Sequence, residues 1–136
     1  MKRLLCGICL VLALSGTLWA EDSNTVAVKV LAKTSSSWDG NALPCYAKGT
    51  PEITILRIAI PAGARLEMHE HPVINAGVLV RGELTVMTED NKTLHLKAGE
   101  SIVEVVNTWH YGKNEGTGQA EIIVFYAGVA GTPITI

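Results

Sequence analysis

The 136-residue sequence is poor in the residues on which several common classes of protein depend. It has only three cysteines, and aromatic residues make up 5% of it. Three cysteines do not build a disulfide framework. A formal net charge of −2 provides neither a basic patch for nucleic acid nor an acidic tail. Because 48% of the residues are hydrophobic, the composition is that of a single globular domain stabilised by its core.

Residues 1–20 have the layout of a secretory signal peptide. A short basic start precedes the apolar run 4–14, and Ala20 is followed by two acidic residues. We expect cleavage after Ala20, which leaves residues 21–136 as one mature domain in the bacterial periplasm or outside the cell. An uncleaved membrane anchor is the alternative, because residues 4–20 reach the short limit for spanning a bilayer.

Cleavage would leave 116 residues with a net charge of −4 and Cys45 as the one remaining thiol. A lone cysteine forms no intrachain bridge, and we expect Cys45 to be buried and inert. An intermolecular bridge and a nucleophilic thiol are the alternatives. We expect no nucleic-acid partner, and no membrane partner after cleavage of the signal peptide.

Short apolar and β-branched runs, separated by turn residues, fill the mature sequence. They predict strands over residues 26–31, 53–60, 76–80, 83–88, 92–97, 101–106 and 120–126. No window outside the N-terminal segment has sustained helical periodicity. This pattern predicts an all-β fold, either a sandwich or a closed barrel.

Three of the four histidines stand where they would suit a metal site. His69 and His71 are one residue apart, so on a strand both imidazoles lie on one face. His110 follows a later hairpin, at the predicted end of another strand, and a β-barrel can bring it beside the first two. Three imidazoles hold a metal and leave room for substrate or water. An exposed polar turn is the alternative interpretation of residues 67–72.

The spacing of these residues resembles the two motifs of the cupin family. The first motif is matched by Gly63, His69, His71, Asn75 and Gly82. The second falls on Gly99, Val105, Asn107, His110 and Asn114, with Val105 in place of the family's usual proline and Asn107 in place of its usual glycine. The resemblance spans about residues 53–127 and implies a double-stranded β-helix, a jelly-roll barrel with a metal near one mouth. The reaction stays open, because one fold hosts many chemistries.

The resemblance also implies the metal ligands. His69, His71 and His110 match the family's histidines, whereas Asn75 stands where the family has a glutamate. Its amide oxygen would be a weak, uncharged fourth ligand. The site is therefore similar to that of the three-histidine cupins, and it favours an anionic or bidentate substrate. We expect one divalent transition metal, with Fe, Zn, Cu, Ni and Mn all open.

Glu104 is the candidate catalytic residue. A charge among the valines and isoleucines of the predicted strand 101–106 needs a partner. Glu104 would be a metal ligand, an acceptor for a histidine N–H or a general base. The alternative is an outward-facing, solvated carboxylate.

Two functions fit these residues. One is an enzyme with a mononuclear metal site that carries out oxygenase- or hydrolase-type chemistry on a small molecule. The other is a binding or accessory cupin that captures a small ligand, which the loss of the anionic ligand at Asn75 favours. A purely structural cupin is a third, weaker option, and a homodimer is left open.

Overall fold

The computed structural model describes residues 25–136, which form an all-β structure. Its strands are β1 (Pro51–Ile60), β2 (Ile74–Arg81), β3 (Glu83–Thr88), β4 (Thr93–Lys97), β5 (Ser101–Val103), β6 (His110–Lys113) and β7 (Ala120–Val129). They form two antiparallel sheets, with the strand orders β1-β7-β2-β5 and β4-β3-β6. No helix in this part of the chain is long and apolar enough to cross a membrane. The predicted signal peptide lies outside the described residues.

The strands alternate buried and less buried side chains, as antiparallel strands with one face on a core do. Along β7, Ile122, Val124 and Tyr126 are buried, and the residues between them are more accessible. The inner faces of the two sheets share one core, formed by Ile60, Val73, Leu79, Leu84, Val86, Leu96, Ile102, Ala120, Ile122, Val124 and Tyr126. This core fills most of the interior, and the candidate site lies beside it.

Five of the predicted strands correspond to β1, β2, β3, β4 and β7, within three residues at each end. The strand predicted over 101–106 is shorter, because β5 ends at Val103 and leaves Glu104 in the following loop. His110 begins β6, whereas we expected it at the end of a strand.

Two predictions for the segment before β1 are wrong. Residues 26–31 form no strand, and Val26, Val28 and Val30 are exposed. Alternating valines alone do not make a strand, because a strand also needs a partner for its main-chain hydrogen bonds. Cys45 is exposed rather than buried, since it lies in the irregular surface segment that precedes β1.

Main-chain hydrogen bonds join the segment 63–71 to β6. Leu66 N donates to Gly112 O at 2.8 Å, and His69 and His110 exchange two N–H···O bonds of 2.9 Å each. The segment 63–71 is not itself a strand, and it pairs with β6 through the isolated bridges Arg65–Lys113 and His69–His110. Since His110 is the first residue of β6, the pairing places it directly opposite His69.

Asn114 holds the other end of β6. Its side chain is fully buried, and its Nδ2 donates to Ile60 O at 2.9 Å and to Gly118 O at 2.8 Å. Its Oδ1 accepts a hydrogen bond of 3.0 Å from Gly116 N. The amide therefore satisfies its polar atoms inside the protein and ties β1 to the loop after β6.

We expect Asn114→Ala to lower the free energy of unfolding by about 2–4 kcal/mol, because it removes three hydrogen bonds and leaves the Ile60 carbonyl buried without this donor. Urea unfolding followed by circular dichroism measures the change. Thr117→Ala, at an exposed position in the same loop, is the control and should change stability by less than about 0.5 kcal/mol. Equal effects of the two substitutions would contradict the prediction.

Candidate metal centre

Three imidazole rings meet at one end of the barrel interior. The candidate ligand nitrogens of His69, His71 and His110 all lie within 4.8 Å of one another. The distances between the ring centroids are 4.5–5.0 Å. His71 and His110 are buried, and His69 is half-buried. The structure thus brings together the three histidines that the sequence selected, and it arranges them as a group able to hold a metal.

Each ring is oriented by a main-chain carbonyl. The Nδ1 contacts are His69 to Glu67 O (2.7 Å), His71 to Ile134 O (2.8 Å) and His110 to Thr108 O (2.8 Å). A carbonyl oxygen only accepts hydrogen bonds, so each Nδ1 carries the hydrogen. In a neutral imidazole the lone pair is then on Nε2, which is the arrangement that metal-binding histidines adopt.

The C-terminal segment supplies the contact that orients His71. Ile136 and Glu70 exchange two main-chain hydrogen bonds, of 3.0 and 3.1 Å, beside that histidine. They hold the Ile134 carbonyl against His71 Nδ1, and Thr135 Oγ1 lies 3.3 Å from the same nitrogen. The motif spacing did not predict this contact, because the C-terminal segment is far from His71 in the sequence.

Burial keeps two of the histidines neutral. It lowers the pKa of His71 to about 4, and the neighbouring His110 and His69 act in the same direction. Burial likewise lowers the pKa of His110, with His69 again contributing. A neutral ring is the form that binds a metal, so both residues are ready to act as ligands at neutral pH.

Glu104 is buried beside His110, so the outward-facing, solvated alternative is wrong. Its Oε2 lies 3.7 Å from His110 Nε2, which is too far for a hydrogen bond. Neither of these two atoms has a hydrogen-bond partner. Burial raises the pKa of Glu104 to about 7. Two unpartnered acceptor atoms that face each other at this distance would be satisfied by a cation between or beside them.

Asn75 lies on the inner face of β2, next to the wall of this site. It is buried, its Oδ1 has no hydrogen-bond partner, and it is paired in register with Tyr126. The Tyr126 ring packs on His71, with 5.3 Å between the ring centroids. Glu104 N donates to Asn75 O at 3.1 Å, which links the two candidate oxygen donors through the main chain. The role of Asn75 as a ligand stays a prediction.

The residues present therefore fit a bound transition metal. Buried side-chain atoms without a hydrogen-bond partner are few in the described part of the chain, and three of the four are His110 Nε2, Glu104 Oε2 and Asn75 Oδ1. Each of these atoms has a lone pair to offer. Imidazole nitrogen suits Zn, Cu, Fe and Ni, so the donor set agrees with the expected class of ion and leaves its identity open.

A cavity of about 40 Å³ adjoins the three histidines. Its wall includes Glu104 and Tyr126, and the remaining lining is aliphatic apart from Gly112. Sequence reasoning missed Tyr126. The alternation along residues 120–126 would have placed it on the inner face of a strand, but its contact with His71 depends on how that strand pairs with β2.

In the metal-free protein, we expect Glu104 to lower stability as the pH rises. Its folded pKa of about 7 lies above the ordinary value of 4.5, so its contribution to stability is complete below about pH 4.5 and is lost through pH 7. That loss amounts to about 2–3 kcal/mol between pH 5 and pH 8. The lowered pKa of His71 has the opposite effect, since its contribution to stability grows as the pH rises from about 4 to 6.5.

Comparison of Glu104→Gln with the wild type isolates the carboxyl group. Urea unfolding in the presence of a chelator should show the variant gaining about 2–3 kcal/mol on the wild type between pH 5 and pH 8. Glu52→Gln, at an exposed position on β1, is the matched control. A difference in stability between Glu104→Gln and wild type that stays constant with pH would refute the prediction.

Comparisons with known proteins agree with this fold. The cupin domain family matches residues 56–126, whereas no curated protein gives a significant match. An uncharacterised protein with a double-stranded β-helix domain from Klebsiella pneumoniae is 17% identical, with a TM-score of 0.55 over 66% of this chain and 85% of that one.

Two of the similar solved structures carry the names of enzymes. The DMSP lyase DddQ from Ruegeria pomeroyi is 18% identical, with a TM-score of 0.54 over 62% of this chain and 42% of that one. A predicted oxalate decarboxylase from Thermotoga maritima is 20% identical, with a TM-score of 0.50 over 55% of this chain and 65% of that one. At these identities the structures show a shared fold. Together with the family match over more than half of the sequence, they establish that this chain belongs to the cupin family.

Proposed function

We propose that this protein is an exported metal-dependent cupin enzyme that acts on a small molecule. One divalent transition metal would be held by His69, His71 and His110. The observation that carries the proposal is that all three rings have Nδ1 on a main-chain carbonyl, while their candidate ligand atoms converge. The proposal that the protein is exported rests only on residues 1–20, which have the layout of a signal peptide.

The bound ion would supply a Lewis acid and a template for the substrate. The chain supplies the surroundings in which that chemistry operates. Three neutral imidazoles leave the full charge of the ion on the site, and the carboxylate of Glu104 beside His110 offsets part of it. The aliphatic wall keeps the local dielectric constant low, so the remaining charge interacts strongly with an anionic or bidentate substrate.

In this proposal, Glu104 would hold a proton-bearing group of the substrate or a water molecule. Its Oε2 has no hydrogen-bond partner and lines the same cavity as the histidines. It would accept a hydrogen bond from a hydroxyl or water at that point, the position from which a general base acts. Oxygenase-type and hydrolase-type chemistry both use such a group. The names of two similar structures, a DMSP lyase and a predicted oxalate decarboxylase, are those of enzymes with small-molecule substrates.

A non-catalytic, ligand-binding cupin is the second candidate. Asn75 favours it, because a buried amide stands where the family's glutamate ligand would be. A site that has lost its anionic ligand binds metal more weakly and leaves the ion more highly charged. Such a site would be as suitable for binding a small anion as for catalysing a reaction.

We expect the mature protein to retain about one metal ion per chain after loading and desalting. The triple variant His69→Ala, His71→Ala, His110→Ala should retain less than about a tenth of that amount, because the convergent nitrogens are gone. Elemental analysis by mass spectrometry measures both. His95→Ala removes a histidine that contacts Thr85 outside the site and should keep the full metal content. Equal, sub-stoichiometric metal in all three proteins would exclude this metal site.

The enzyme and binding hypotheses differ in what Glu104→Gln changes. If the protein is an enzyme, the metal-loaded wild type should consume oxygen in the presence of at least one thiol, phenol or diketone, or it should hydrolyse at least one ester. Glu104→Gln should then lower turnover by about 10²–10⁴-fold, because it removes the general base. Stoichiometric binding of a small anion by calorimetry, without turnover of any substrate by the wild type, would instead establish the binding function.

A further inference from the structure

The cavity behind the three histidines runs into the aliphatic interior of the barrel. Its polar lining consists of His69, His71, His110, Glu104 and Tyr126. The rest of its wall is aliphatic apart from Gly112 and is formed by Ile58, Ile60, Leu66, Leu84, Val86, Ile122 and Val124. We call this space the chamber.

The strand registers place the polar groups at one end of the chamber. On β6, His110 pairs with Thr88, and the next inward-facing residue, Gly112, pairs with Val86. Two residues along a strand cover about 6.6 Å, so Gly112 lies one layer deeper than the histidines. Val124 likewise comes two residues before Tyr126 on the inner face of β7. The chamber therefore has polar groups at the histidine end and aliphatic walls beyond it.

The chamber owes part of its space to the absence of a side chain at Gly112. A Cβ built there would lie 3.3 Å from Leu66 Cδ1 and 3.4 Å from Leu84 Cδ1, both in the chamber wall. Gly112 is not among the residues with positive φ, so its main chain would accept any L-residue. Space rather than backbone conformation is thus what glycine provides at this position.

We propose that the chamber binds a small apolar group of about two or three non-hydrogen atoms next to the metal centre, and that Gly112 sets its size limit. A cavity that holds one water molecule has about 10–15 Å³, so about 40 Å³ gives room for about three groups of that size. Water in the deeper part would face aliphatic side chains and lose hydrogen bonds, which favours an apolar guest. The inference rests on the proposed function of the histidine site.

Two sources would supply such a guest: dissolved dioxygen, or the short alkyl end of an organic substrate whose polar end faces the histidines. The first would favour oxygenase chemistry. The second would make the chamber a specificity pocket that selects substrates by chain length. Both share the same recognition chemistry, an apolar group in an apolar space of limited size.

Methyl NMR of the metal-free protein under xenon and then under dioxygen pressure tests the chamber directly. Xenon should shift the methyl signals of Val86, Val124 and Leu84, and dioxygen should broaden them through its unpaired electrons. Gly112→Ala should reduce both effects at least fivefold. Gly118→Ala, where a Cβ meets nothing within 4 Å, is the matched control and should behave as wild type.

A series of straight-chain carboxylates, from acetate to valerate, separates the two sources. Titrated into the zinc-loaded protein, they should bind more tightly with each carbon up to a limit if the chamber holds an alkyl end. Gly112→Ala should shift that limit to a shorter chain, and Val124→Ala, which enlarges the chamber, to a longer one. Broadening by dioxygen without any dependence on chain length assigns the chamber to dioxygen. Val124→Ala also keeps the test decisive if Gly112→Ala does not fold.

The experiments distinguish an error in the chamber proposal from an error in the proposed metal centre, because metal retention is measured on the same samples. Zinc retained at one ion per chain, with no methyl response to either gas and no dependence on chain length, overturns the chamber alone. A methyl response in a protein that retains no metal overturns the proposed function and leaves the apolar cavity.

Discussion

The antiparallel pairing of residues 63–71 with β6 is the constraint on which the candidate site depends. Two hydrogen bonds of 2.9 Å between the main chains of His69 and His110 bring together residues that belong to different motifs. His71 follows two residues later in the same segment, and its ring centroid lies 4.9 Å from that of His69. Without this pairing, the three imidazoles would be separate polar side chains rather than one group of convergent nitrogens.

Several buried polar atoms in and beside the site have no hydrogen-bond partner. Elsewhere a buried amide such as Asn114 has partners for all of its polar atoms, whereas Glu104 and His110 in the site, and Asn75 on the adjoining strand, each keep one acceptor atom without any. Such atoms destabilise a folded chain unless a ligand uses them. Binding of a cation would recover that free energy, so metal binding and stability are expected to be coupled in this protein.

The same strands contribute side chains to the hydrophobic core and to the candidate site. β6 and β7 carry polar side chains, His110 and Tyr126, where they reach the histidine layer, and small or aliphatic ones one layer deeper. On each of these strands the polar residue and the smaller or aliphatic one are two positions apart, so the inner surface changes from polar to apolar over that distance. An apolar surface therefore lies directly beside the histidines, and Gly112 and Val124 are part of it.

Local patterns in the sequence were sufficient for the positions of β1, β2, β3, β4 and β7, because these strands follow a period of two residues. His69 and His71 do share one site, but they lie in a segment outside the strands rather than on a strand as we expected. The motif spacing added His110 and the double-stranded β-helix. The burial of Glu104 and the carbonyl of Ile134 that orients His71 were decided only in the tertiary structure. So was the absence of a strand over residues 26–31. Each of these depends on a partner distant in the chain, and no local pattern of side chains specifies where such a partner lies.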